Sequence, residues 1–127
     1  MDSLKITPTA AELEILNILW ENEPLSVKEI HDQLASTKNV GYTTTLKIMQ
    51  NMTSKGLLSR ELNGKSHLYT ALIKKDTTQR TLLNRMVDTV FGGSASSLVM
   101  QILGNKNTTP EELDEIKRII SDMEENQ

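Results

Sequence analysis

Several stretches of this 127-residue chain carry residue types that could do chemistry. Ser59-Arg60-Glu61-Leu62-Asn63-Gly64-Lys65-Ser66 resembles the nucleotide-binding loop GxxxxGK followed by Ser or Thr, with Ser in place of the first Gly. That loop works because a buried strand precedes it and a helix follows it, so that helix amides meet the phosphates. Here the residues after Ser66 alternate as a strand, which makes Gly64-Lys65-Ser66 a turn. Gly92-Gly93-Ser94-Ala95-Ser96-Ser97 has the composition of a second phosphate loop, but a helix stop followed by a Ser cap accounts for it without a ligand. The only two histidines, His31 and His67, fall in different elements with no second ligand at metal spacing, and Cys is absent. No GxSxG surrounds a serine. Glu111, Glu112, Asp114 and Glu115 are better explained by a helix start and a solvated face than by an acid and base pair. The residues therefore point away from catalysis, from a metal and from a cofactor.

What remains is the chemistry of cations. The net charge of -3 hides a segregated pattern. Residues 38–75 hold Lys38, Lys47, Lys55, Arg60, Lys65, Lys74 and Lys75 against Glu61 alone, between two flanks that are both net acidic. A weakly acidic whole does not exclude nucleic acid, because phosphate contact depends on where cations cluster. The alternative is an ordinary solvated face.

The elements that must position these cations follow from caps and periodicity. Thr9-Ala10-Ala11-Glu12 and Ser26-Val27-Lys28-Glu29 both fit a capping box, in which the hydroxyl takes a first-turn amide and the carboxylate reaches back to the cap amide. The first opens a helix with apolar residues at 13, 15, 16, 18, 19 and 20, ending near Asn22. The second opens a helix with Ile30 and Leu34 inward and His31, Asp32 and Gln33 outward. Three successive threonines at 43–45 have the composition of a strand. Yet Thr45, Ile48, Met49 and Met52 follow helical spacing and Gly56 sits where a left-handed cap belongs, so a third helix is predicted over about 42–55. Thr43, Thr44, Lys47, Gln50, Asn51 and Ser54 are left on its outer side or margins. Leu57–Leu62 and His67–Ile73 flank Asn63-Gly64-Lys65-Ser66, and Asn-Gly between two extended stretches is the strongest short hairpin signal. Trp20, Met49 and Met52 are assigned to the core, since a chain with 3% aromatics must build it from Leu, Ile and Met.

Helix, helix, helix, hairpin is the order of a winged helix-turn-helix, in which the third helix enters the major groove and the hairpin lies along the backbone. The basic segment coincides with that helix and wing. Thr43, Thr44, Lys47, Gln50 and Asn51 are candidate DNA contacts, with Arg60, Lys65, Ser66 and His67 positioning the wing on phosphates. Gln50 and Asn51 could instead serve capping or inter-helix hydrogen bonds, and Lys47 simple solvation.

From Asp76 the pattern returns to helix: Leu83, Met86, Val87 and Val90 up to Gly92, then Leu98, Val99, Ile102 and Leu103 after a Ser94 cap. A Thr109 cap with Pro110 then starts a stripe of Leu113, Ile116, Ile120 and Met123. Three short helices with little aromatic bulk do not make a self-sufficient core, so a second copy is expected to cover Leu83, Met86, Val90, Leu98, Ile102, Leu113, Ile116, Ile120 and Met123. Folding back onto the first module is the alternative. The expected architecture is mainly α with a small β-hairpin: a winged-helix DNA-binding domain over 1–75 and a three-helix dimerisation domain over 76–127. With no Cys, no apolar window long enough for a membrane span and no export signal, the chain reads as cytoplasmic.

These residues together resemble the penicillinase-repressor family, the BlaI, MecI and CopY type of winged-helix regulators. The resemblance rests on Thr9-Ala10-Ala11-Glu12-Leu13-Glu14-Ile15-Leu16 leading to Ile18-Leu19-Trp20, then Val27-Lys28-Glu29-Ile30, Tyr42-Thr43-Thr44-Thr45 with Met49 and Met52, and Lys55-Gly56-Leu57-Leu58. In the tail it rests on Phe91-Gly92-Gly93-Ser94, Ser97-Leu98-Val99 and Glu111-Glu112-Leu113. It implies a homodimeric repressor on inverted-repeat operators of β-lactam resistance or related genes. It also implies release through a membrane-bound sensor metalloprotease that cuts the helix after the Gly-Gly junction. The matching bond is Gln101-Ile102, where the family carries Asn-Phe. The metal-responsive branch takes metal on a C-terminal Cys cluster, which this chain lacks. Lys47 and Asn51 stand where many relatives carry Thr and Arg, which implies a different operator sequence. A winged-helix module that binds protein and not DNA is the alternative function.

Overall fold

The computed structural model describes residues 7–105 and 107–126. Its order is α1 (Ala10–Glu21), α2 (Val27–Ala35), α3 (Tyr42–Ser54), β1 (Leu58–Asn63), β2 (Ser66–Ala71), α4 (Lys75–Thr89), α5 (Ala95–Leu103) and α6 (Pro110–Glu125). Two compact units result, Met1–Leu82 and Leu83–Gln127, with the division inside α4.

Local chemistry sets the boundaries of the first unit. Both expected capping boxes form: Thr9 and Glu12 at α1, Ser26 and Glu29 at α2. Helix α3 starts at Gly41 without a side-chain cap and stops where Gly56 takes a φ of 84°. A Cβ disfavours that conformation, which is why the chain can turn there into β1.

The ribbon is antiparallel with Leu58 opposite Ala71 and Asn63 opposite Ser66. That register leaves Gly64 and Lys65 as the central residues of the expected Asn63–Ser66 turn. Gly64 has a φ of 66° while, among the described residues, none other than Gly has a positive φ, which is the pattern of a type II′ turn. The link before α2 is extended: Leu25 and Tyr69 exchange backbone hydrogen bonds of 3.1 and 2.7 Å.

Ile15, Leu16, Leu19, Ile30, Met49, Met52, Leu58 and Tyr69 are fully or almost fully buried, and with Leu25, Val27, Leu34 and Leu57 they form one core beneath α1, α2, α3 and the ribbon. Trp20 packs partly against it and donates its Nε1 hydrogen to the Ile73 carbonyl at 3.0 Å.

In the second unit Ser94 and Thr109 cap α5 and α6, each accepting a first-turn amide. No described residue of this unit is buried. Leu83, Met86, Val90, Val99, Met100, Ile102, Leu103, Ile119, Ile120 and Met123 are exposed, while Leu98, Leu113 and Ile116 are half-buried.

Candidate nucleic-acid interface

Helix α3 is fixed from beneath. Thr45, Met49 and Met52 are inaccessible to solvent, and at 3.6 residues per turn this turns the opposite face outward. Thr43, Thr44, Lys47, Gln50 and Asn51 are all exposed on it. Gln50 and Asn51 make no side-chain hydrogen bond among the described residues, so the inter-helix role open to them in the sequence is not taken up. Arg60, Lys65, Ser66 and His67 are exposed on the ribbon. Of these nine residues, Gln50, Arg60, Lys65, Ser66 and His67 line one groove between α3 and the wing. Thr43, Thr44, Lys47 and Asn51 lie further round the helix and do not line it.

The cations of residues 38–75 divide into two groups, which the charge count alone does not separate. Lys38 Nζ lies 2.7 Å from Glu14 Oε1 and Lys55 Nζ lies 2.7 Å from Glu12 Oε2, so both are drawn back to α1. Lys47, Arg60 and Lys65 form no ion pair among the described residues and present their charge to solvent. The outward field is therefore smaller than seven cations, and concentrated on α3 and the wing tip.

The Glu12–Lys55 pair joins the start of α1 to the end of α3. Glu12 is 4% exposed, and its other oxygen accepts the Thr9 amide at 2.9 Å. Burial pushes the Glu12 carboxyl up, but hydrogen bonds from Lys55 and Thr9, with the Lys55 charge, outweigh it and hold the pKa below the ordinary 4.5. Lys55, read as a residue of the last helical turn, is thus also a tertiary contact.

His31, read as outward, is half-buried. Its Nδ1 lies 3.0 Å from Thr45 Oγ1, and its ring stands edge-on to Tyr42 with centroids 5.5 Å apart. Spacing along α2 places His31 beside outward residues, and only the approach of α3 brings it a partner. Tyr42 and Lys28 also line the groove, although the charge map passed over both. Lys28 falls in the acidic flank, and Tyr42 precedes the threonines that drew attention. No group of three or more His, Asp or Glu is placed to hold a metal among the described residues, and none of their helices is long and apolar enough to cross a membrane.

A protein-family model described as Penicillinase repressor matches residues 8–122. The chain is 23% identical over 123 residues to a penicillinase repressor of Staphylococcus aureus, covering 97% of this chain and 98% of that protein. It is 22% identical over 121 residues to the methicillin resistance regulatory protein MecI of Staphylococcus aureus strain N315, covering 95% of this chain and 98% of that protein. Among solved structures, the DNA-binding domain of the repressor BlaI matches with a TM-score of 0.52 at 24% identity, over 58% of this chain and 93% of that domain. That likeness is one of fold, and it makes the three helices and hairpin a winged helix. The match runs through both units of the chain and nearly the full length of its relatives, so the chain belongs to the penicillinase repressor family, a family of transcriptional repressors and not of enzymes.

Proposed function

We propose that the protein is a cytoplasmic, homodimeric repressor that binds an inverted-repeat DNA operator, each winged helix taking one half-site. The observation that carries this reading is the pairing pattern of the cations: Lys47, Arg60 and Lys65 face solvent unpaired around α3 and the wing, while their neighbours Lys38 and Lys55 are neutralised by α1. Thr43, Thr44, Gln50 and Asn51 supply groups for base edges and phosphates, and Lys47, Arg60, Lys65, Ser66 and His67 fix the register.

Dimerisation is supported by the second unit, which leaves apolar side chains of α4, α5 and α6 uncovered. A second copy is the occupant, because linking two half-site binders makes the second contact intramolecular and adds about 10² to 10⁴ in apparent affinity. The domain division belongs to the same proposal: residues 1–75 carry DNA contact and 76–127 carry dimerisation. Release follows from cutting α5 at Gln101–Ile102 by a membrane-bound sensor metalloprotease, which removes the linkage without touching the DNA face. Both residues are exposed. β-Lactam resistance or related genes are the proposed targets, by analogy with the relatives' names.

Fluorescence anisotropy against the duplex upstream of the protein's own gene and a shuffled control, at two salt concentrations, tests this. Selective binding that falls steeply with salt is expected, and Lys47→Ala flattens that dependence by about 0.9 per lost contact, two contacts per dimer. Equal, salt-insensitive binding to both duplexes would overturn it in favour of a protein partner.

A further inference from the structure

We propose that the groove between the N-terminus of α2, the first turns of α3 and the wing seats a phosphate of the DNA backbone, with Lys28 and Tyr42 acting beside Arg60 and Lys65. This rests on the DNA-binding reading above and extends it to two residues which that reading does not use. The groove encloses about 430 Å³. Its apolar floor is Val27, Leu46 and the buried ring of Tyr69, and its polar groups come from three separate elements.

At the α2 end, the Glu29 amide is satisfied by Ser26 Oγ at 3.2 Å, but the amides of Val27 and Lys28 have no acceptor within the helix. The Lys28 ammonium touches Asp32 at 3.2 Å in a pair whose side chains are 78% and 61% exposed. Such a pair is weak, so the ammonium is available to a stronger anion at little cost. Glu29 is the opposing carboxylate at this helix end, and its Oε1 is held back by the Ser26 amide at 3.0 Å.

Across the groove, Tyr42 is 47% exposed yet built in place. His31 braces its ring edge-on, and His31 is itself held by the fully buried Thr45. The Tyr42 hydroxyl is thereby a pre-positioned donor to a phosphate oxygen. Arg60 and Lys65 close the third side from the wing. A duplex laid along the outer face of α3 carries its backbone past this mouth, where an amide end, a phenol and three cations converge. Contacts of this kind set register and not sequence.

The full-length protein and its Lys28→Ala and Tyr42→Phe variants would be titrated with the tightest duplex recovered from randomised DNA. The same duplex would then be scanned with single methylphosphonate substitutions, which remove one backbone charge at a time. Each variant is expected to bind about tenfold more weakly, on the selected and the shuffled duplex alike. One methylphosphonate position that weakens the wild type should cost the Lys28→Ala protein nothing further. Unchanged melting curves would exclude misfolding as the cause. If the wild type binds with steep salt dependence and Lys47→Ala weakens it, but both groove variants bind as the wild type does, the groove proposal falls and the DNA reading stands. If the wild type binds no duplex, the DNA reading falls and takes the groove with it. If inorganic phosphate alone shifts the groove amides in an NMR spectrum while no methylphosphonate position couples to Lys28, the site takes a free anion and the proposal is overturned.

Discussion

Met1–Leu82 and Leu83–Gln127 are built from similar helices with opposite outcomes. The first unit closes twelve apolar side chains into a core. The second has comparable stripes on α4, α5 and α6 and buries none of its described residues. Since hydrophobic burial is the main favourable term in folding, and short helices owe most of their stability to tertiary packing, the first unit is equipped to fold alone. The second needs its apolar faces covered. An amphipathic pattern therefore states that a face will be buried, and not by what.

The largest expected effect falls on the second unit. Ile120, 48% exposed, is one of the apolar residues that α6 leaves uncovered. Ile120→Asp places a charge where a second copy is expected to pack, and operator affinity should drop by about 10² to 10⁴ as avidity is lost. The first unit should keep its unfolding transition, and sedimentation should show a monomer. A soluble variant that remains dimeric and binds as tightly as the wild type would break the contrast between the units.

The complementary change is in the first unit. Leu19 is fully buried between α1 and its neighbours, and Leu19→Ala should lower stability by about 2 to 5 kcal/mol through lost burial and the cavity left behind. Urea denaturation followed by Trp20, the single tryptophan, measures it directly. A loss below about 1 kcal/mol would mean that this core is not the packed body described above.

How much of this was legible in the sequence follows from the range of each interaction. Elements fixed within four or five residues could be read: both capping boxes, the Gly56 stop, the Ser94 and Thr109 caps and the existence of the hairpin. The four turn residues Asn63–Ser66 are legible as well, because Asn-Gly marks the turn and the flanking stretches bound it, and the strand register then closes Asn63 onto Ser66 around Gly64 and Lys65. Contacts across the fold were not legible. Lys55 meets Glu12 across 43 positions and Trp20 meets Ile73 across 53. For the same reason the charge count overstated the basic face, since counting cannot see which lysines are neutralised at a distance. The outer residues of α3 emerged correctly as exposed because a single helix face determines them. Lys28, His31 and Tyr42 gained their surroundings only when α2, α3 and the wing came together.

The Glu12–Lys55 pair sharpens the comparison, because it is a tertiary electrostatic lock of the first unit. The Glu12 pKa in the folded chain lies below its ordinary value, so the unfolded state binds the proton more readily. The resulting stabilisation is fully present above about pH 4.5 and is lost as pH falls through the lower folded value. Unfolding of the first unit should therefore show an acid-side decline, and Glu12→Gln should flatten it while lowering stability at neutral pH by about 1 to 3 kcal/mol. Denaturation midpoints across pH 3 to 7 for both proteins would check this. Identical slopes would show that Glu12 does not carry the linkage.

The smallest expected effect comes from Lys38, which separates two cations of one basic segment. Lys38 contacts Glu14 at 2.7 Å, but its side chain is 49% exposed and that of Glu14 41%. Solvent screens such a pair, so Lys38→Ala should change stability by no more than about 1 kcal/mol. Because Glu14 already neutralises this charge, DNA affinity and its salt dependence should also stay near the wild-type values. Lys47→Ala, by contrast, leaves stability unchanged and flattens the salt dependence. Parallel melts and salt titrations of the two variants decide the matter: a Lys38→Ala protein that loses as much salt dependence as Lys47→Ala would mean that the pair with Glu14 opens on DNA. The cationic surface would then extend past α3 toward the end of α2.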